Sequence, residues 1–279
     1  MSRNLPIWWV TLFCAKPWSM PRQGSSTSEA GLTGIIALGL PNWTIFRPCL
    51  FGIFNDWPFQ TANGYPATRA TTTLARTQAI TDHGFVLYGS TAIALRLGHR
   101  ISIDFDFFSD LPLDQKAVIA SLPFGDQSTV LQDEPNTLTL LVSSDKPDAS
   151  NVKVSFFGAV NFGRVGNPDR SEDGMVCSAS LDDLMANKVK VILQRAEAKD
   201  YRDIASMIGA GVDLARGLAA ARLLFGPSFQ PSESLKALVY FKDGDLDTLD
   251  DGEKAALIKA ASSVRRLPKV DLISKKLLN

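Results

Sequence analysis

The stretch from Phe85 to Phe108 constrains this chain more than any other. Phe85-Val86-Leu87-Tyr88 suits a short buried strand, Gly89-Ser90 interrupts it, and Thr91 to Leu97 is a helix-length apolar run closed by Gly98. Ile101 to Phe108 then alternates, with Ile101, Ile103, Phe105 and Phe107 on one face and Ser102, Asp104 and Asp106 on the other. That period of two predicts a half-buried strand. A strand, a tight turn, a helix and a second strand in so short a span belong to an α/β architecture.

The second strand carries the chemistry. Its spacing sets Asp104 and Asp106 on one face about 6.6 Å apart by strand rise. Their mutual repulsion would be of order 2–3 kcal/mol at an effective dielectric near 20. Such a pair either lies wet on a solvent-facing edge strand or takes a counter-cation. The Gly89-Ser90 turn, at a strand-to-helix junction, presents backbone N–H groups and a hydroxyl at a helix N-terminus, which favours phosphate. Phosphate beside paired carboxylates suggests a metal nucleotide, with Mg²⁺ held by the carboxylates and the substrate together.

Beyond this unit, Thr137–Val142 and Val152–Phe157 read as strands joined by a polar segment, and Met175–Ser178 as a shorter one. From Ser180 the pattern turns helical. Ser180 with Asp183 resembles a capping box, opening a helix through Leu184, Met185, Val189 and Ile192 to about Arg195. Further helices are predicted at 200–208, 213–224, 232–241 and 252–264, and Ala70–Ala79 suits another. Residues 1–36 read as a poorly ordered extension, 37–180 as an α/β lobe with a mixed sheet, and 181–279 as a helical lobe.

Composition removes several classes. With 279 residues, 45% of them hydrophobic, the chain can build one large or two modest domains. The longest apolar runs, Ile7–Cys14 and Ile35–Leu40, fall far short of the roughly 18 residues of a membrane helix. Lys16-Pro17 stands where a secretory signal would have small residues, which argues against export. Cys14, Cys49 and Cys177 are far apart and form no CxxC, so the pattern gives neither a disulfide framework nor a zinc cage and fits a reducing cytoplasm. His83 and His99 lack companions at ligand spacing and read as ordinary surface or turn residues. The 29 basic residues balance 29 acidic ones, which argues against coating nucleic acid and leaves room for a local basic groove. Arg265, Arg266, Lys269, Lys275 and Lys276, against Asp271 alone, suit either an RNA contact or a solvated tail.

At about 100° per residue, Lys188 and Arg195 fall inside the apolar stripe of the helix after Ser180, among Leu184, Met185, Val191 and Ile192. Buried cations need partners, so these two either snorkel to a lobe boundary or point into a cleft to meet an anion. Lys153 shares a strand face with Ser155. Asp200 and Asp203 share a helix face, where they either cap and pair with Arg195 or Arg202 or take part in catalysis.

The run 85–108 resembles the signature of the nucleotidyltransferase AbiEii/AbiGii toxin family, within the polymerase β superfamily. That signature is Gly-Ser, a spacer of about a dozen residues, then Asp-x-Asp; here thirteen residues separate Ser90 from Asp104. Val152-Lys153-Val154, then Lys188 with Arg195 seven on, then Lys-Asp-Tyr-x-Asp at 199–203 follow in the family's order. The resemblance implies a polymerase β-type nucleotidyltransferase lobe with a helical C-terminal lobe. It also implies a cytoplasmic, Mg²⁺-dependent enzyme that takes a nucleoside triphosphate and serves as the toxin of a bacterial toxin–antitoxin or abortive-infection system. The implied partners are an RNA acceptor, the tRNA 3′ end being the first guess, and a cognate antitoxin or transcriptional regulator. By position, Gly89 and Ser90 would hold the triphosphate, and Asp104 and Asp106 the metal. Lys153, Lys188, Arg195 and Arg100 would neutralise phosphate, and Asp200 or Asp203 would assist the acceptor or position a helix. One departure stands out: Ser155 occupies the place of a third carboxylate that many relatives carry. It opens the alternative of a catalytically silent nucleotide-binding member, while the neutral net charge leaves room for transfer to a protein or small molecule.

Overall fold

Val152–Phe157 is the strand on which the whole sheet is organised, because its neighbours on both sides find full-length ladders there. The computed structural model describes residues 78–143, 151–171, 174 and 176–278. The chain divides into two units, 1–53 and 54–279, and every described residue lies in the second. The extension expected at 1–36, the part of the expected 37–180 lobe before residue 78 and most of the helix expected at Ala70–Ala79 fall outside the described residues.

The described elements begin with α1 (Gln78–Asp82), β1 (Val86–Tyr88), α2 (Gly89–Leu97), β2 (Phe105–Phe108) and α3 (Gln115–Ser121). Next come β3 (Thr129–Glu134), β4 (Thr137–Val142), β5 (Val152–Phe157), β6 (Asp169–Arg170) and β7 (Cys177–Ser178). The helical part follows as α4 (Leu181–Val191), α5 (Ala198–Gly209), α6 (Leu214–Phe225), α7 (Pro231–Ala237) and α8 (Asp251–Ser263). The seven strands form one mixed sheet in the order β3-β4-β5-β2-β1-β7-β6. β2 runs parallel to β5 and antiparallel to β1, and β1 runs parallel to β7. This is the expected α/β class.

The core follows from the alternation. Phe107 stacks on Phe156 with ring centroids 5.4 Å apart, and Phe85 meets Phe156 edge-on at 5.2 Å. On the opposite face of β2, Phe108 packs against Tyr88, Phe157 and Phe162. Phe162 in turn meets Phe225 of α6 at 5.7 Å, so aromatic contacts carry the sheet core into the helices. α2 packs on α4 and α5, and α4 on α6.

Several expectations need adjustment. The alternation from Ile101 predicts a strand that starts there, whereas β2 starts at Phe105 and Ile101 is exposed. The ladder begins only where a partner exists, at the Phe105–Val154 pairing. The hydroxyl of Thr91 instead ties down the preceding residues through Ser102 and the Asp104 carbonyl. The helix expected to reach Arg195 ends at Val191, so Arg195 lies beyond it and the helical wheel does not apply to that residue. Ser180 does cap α4, but Asp183 does not complete a capping box: its buried carboxylate accepts from the backbone of Val165 and Gly166. β3 and α3 are additions to the predicted elements. The Pro135-Asn136 dipeptide before β4 is the local signal for a hairpin, and Asn136 sits at φ 60° in its turn.

Candidate active site

Cross-strand register brings the site together. Tyr88 of β1 pairs with Asp106 of β2, which pairs with Ser155 of β5. The turn that ends β1 therefore lies directly against the carboxylate of Asp106. Gly89 sits there at φ +74°, and a Cβ built on it would stand 2.9 Å from Asp106 Oδ2. Glycine is required twice over, by the left-handed backbone and by the carboxylate that fills the space. α2 starts at this glycine with no side-chain cap, leaving its first backbone N–H groups for an anion.

Asp104 lies just ahead of β2 with its side chain 50% exposed. Its Oδ1 accepts from the Lys153 backbone N–H at 3.2 Å, and the Lys153 ammonium stands 3.9 Å from Oδ2. Asp106 is the more enclosed of the pair. Burial pushes its carboxyl above the ordinary range and Asp104 adds to the rise, while Lys153, Lys188 and Arg195 oppose it. Two close carboxylates with one raised by burial suit a hard divalent cation that also takes phosphate oxygens. Among the described residues no group of three or more His, Cys, Asp or Glu side chains is arranged to hold a metal, so the pair stands without a third carboxylate.

The remaining predicted residues form a second, buried group beside the first. Lys188 donates to Asp200 Oδ1 at 2.5 Å and Ser90 Oγ at 2.8 Å, and its ammonium stands 2.7 Å from Asp203 Oδ2. An ammonium has three protons, and three oxygens surround this one. Arg195 Nε donates to Asp200 Oδ2 at 2.8 Å. Arg100 forks onto Asp203 at 2.7 and 3.0 Å, and Ser90 Oγ donates to the same carboxylate at 2.8 Å. Both aspartates are fully buried. Burial raises each carboxyl, but their partners outweigh it: Lys188 and Arg195 hold Asp200 below its ordinary value, and Lys188, a hydrogen bond from His99, and Arg100 hold Asp203 well below. Of the two readings of Asp200 and Asp203, the geometry matches internal ion pairing, with Lys188 and Arg195 on Asp200 and Arg100 on Asp203. The partner is not Arg202, which instead bonds Thr248 and stands 3.4 Å from Glu253.

His99 is the residue that sequence reasoning misses. Gly98 reverses the chain after α2 in the left-handed conformation, and the ring next to it pairs through Nε2 with Asp203 Oδ1 at 2.8 Å. An ionised carboxylate only accepts, so Nε2 carries the proton. Its partner lies 104 residues along the chain, a separation no local spacing rule can see. The one hint in the sequence is its place beside Arg100.

Residues 72–274 match the family model of the nucleotidyl transferase AbiEii toxin of type IV toxin–antitoxin systems. The chain belongs to this family. An uncharacterised protein of Aquifex aeolicus (strain VF5) is 28% identical over 172 residues, covering 61% of this chain and 79% of that one. A candidate nucleotidyltransferase from H. pylori superposes with a TM-score of 0.47 at 21% identity, covering 70% of this chain and 92% of the other. MenT4, a nucleotidyltransferase toxin of Mycobacterium tuberculosis H37Rv, gives a TM-score of 0.47 at 12% identity over 70% of this chain and 87% of its own. As a member of the AbiEii family the protein is a toxin-type nucleotidyltransferase that uses a nucleoside triphosphate and has a cognate antitoxin. Among the described residues no helix is long and apolar enough to cross a membrane.

Proposed function

We propose that this AbiEii nucleotidyltransferase transfers a nucleoside monophosphate from a triphosphate to the 3′ end of an RNA, tRNA being the first candidate, with Mg²⁺ as the metal. The observation that carries the reading is the contact of Asp106 with the Gly89 turn, which sets a metal-binding carboxylate against a phosphate-binding helix start. Asp104 and Asp106 hold the ion, whose chemistry when bound is to offset charge on the phosphates and leaving group. The backbone N–H groups at the start of α2 receive the triphosphate. Lys153, at the open end of β5, supplies charge toward the same phosphates.

In this reading Lys188, Arg195, Asp200 and Asp203 are positioning residues. The Lys188 ammonium already has three oxygen partners, so its task is to hold Ser90, and with it the α2 start, against α5. Arg100 and His99 do the same through Asp203. Phosphoryl transfer depends chiefly on alignment and charge stabilisation, so a rigid mount for the turn serves the reaction without touching it.

The test is incubation of the protein with each α-labelled nucleoside triphosphate, Mg²⁺ and total RNA, beside an Asp104→Ala, Asp106→Ala double variant. Label is expected at RNA 3′ ends with the natural protein alone. Transfer no greater than that of the double variant, or label found on protein or a small molecule instead, would overturn the RNA assignment.

A further inference from the structure

The segment after α8 is not the free solvated tail its charge suggests. Val264 to Leu278 runs without helix and is pinned at its far end. Arg164 and Ser274 form an antiparallel bridge, Arg164 Nε donates to the Lys276 carbonyl at 3.1 Å, and the Leu277 N–H donates to Asp110 Oδ1 at 2.8 Å. Leu277 itself is buried. Gly163, at φ +73°, makes room for the strap, since a Cβ there would stand 2.6 Å from the Ser274 carbonyl oxygen. Between helix end and anchor, residues 265–272 make no backbone hydrogen bond to the rest of the described residues.

This pinned segment displays Arg265, Arg266, Lys269, Lys275 and Lys276, all exposed, against Asp271 alone. Lys269 and Asp271 approach to 3.2 Å, but at 88% and 79% side-chain exposure such a pair competes poorly with a polyanion. In a chain balanced at 29 against 29, these cations are a local excess. The opposite sign collects at the other end of α8, where Asp243, Asp245, Asp247, Asp250, Asp251 and Glu253 lie close in sequence. The helix keeps the two about 18 Å apart. A polyanion meeting this surface is drawn to the strap and turned from the acidic turn.

We propose that residues 264–278 are a basic strap that grips the phosphodiester backbone of the RNA acceptor; this rests on the RNA reading above. Extended, residues 265–276 span at most about 40 Å, enough for several consecutive phosphates. The segment has no aromatic side chain on which a base would stack, so the grip is on phosphate and independent of sequence.

The test compares the full chain with an Arg265→Ser, Arg266→Ser, Lys269→Ser variant for binding of a 5′-fluorescein, mixed-sequence RNA of about 20 nucleotides across a range of salt concentrations. All three side chains are exposed, and unchanged urea unfolding checks that the variant folds. Affinity at low salt is expected to fall at least about tenfold. The logarithmic salt slope should shrink by about 2, at about 0.7 for each phosphate that the variant no longer neutralises. Unchanged affinity and slope would overturn the strap, including the case where the same substitutions abolish binding of a partner protein instead. Strap-dependent RNA binding without label transfer by the natural chain would support the strap and overturn the transferase reading on RNA.

Discussion

At Asp203 one buried carboxylate receives Ser90, His99, Arg100 and Lys188, side chains that come from two separate helices and a loop. Removing one member of a buried ionic network leaves the others desolvated and unpaired, which costs about 3–5 kcal/mol. Asp203→Ala is therefore expected to lower the unfolding free energy in urea by that amount, and a loss below about 1 kcal/mol would refute the arrangement. Gly89 acts at the same scale. Gly89→Ala should cost about 1–2 kcal/mol for the left-handed backbone alone, and the new Cβ must also displace Asp106 Oδ2 from 2.9 Å. Calorimetric Mn²⁺ titration should accordingly show weaker binding in Gly89→Ala, whereas an unchanged affinity would separate the turn from the metal pair.

Among the elements, β5 decides what β2 can do. Ser155 lies beside Asp106 in register, where a carboxylate would complete a three-acid set. Ser155→Asp is expected to raise the number of Mn²⁺ ions bound with a non-hydrolysable triphosphate from one to two per chain, read by electron paramagnetic resonance. Two ions in the natural chain would show that the pair suffices for both. The elements also differ in how legible they are in sequence. β4 and β5 are legible to the residue, because both are short runs rich in β-branched and large apolar residues between turn signals. For β2 the alternation overstates the length, since period two is a property of the chain while a strand's start depends on its partner. β3 leaves no such mark because an exposed edge strand need not be apolar, and Thr129–Glu134 is exposed along most of its length.

For the whole molecule, acid is the informative perturbation. Asp200 and Asp203 are held below the ordinary carboxylate value of about 3.9, so their pairing is complete above it and is lost as pH falls from there toward their depressed folded values. Asp106 and Asp183 are raised by burial, so their ionisation costs the fold at neutral pH and that cost disappears as pH drops through their raised values. In chelator, urea midpoints should thus rise modestly on mild acidification and then fall steeply below about pH 4. Asp106→Asn should reduce the rise to what Asp183 contributes and leave the fall, and a midpoint that declines steadily from neutrality would contradict the sign given to Asp106 and Asp183. The family and its motifs, Gly89-Ser90 with Asp104-x-Asp106, Lys188 with Arg195, and Asp200 with Asp203, are determined by sequence, because turn chemistry, strand period and charge type are local properties of a chain. Which cation meets which anion is decided only in three dimensions. By sequence alone Lys188, Arg195 and Arg100 are candidates for phosphate and His99 is an ordinary surface or turn residue; packing α4 and α5 against α2 buries two carboxylates among them. Desolvation makes a buried charge take the nearest opposite one, and for Asp203 that includes Arg100, 103 residues away in sequence.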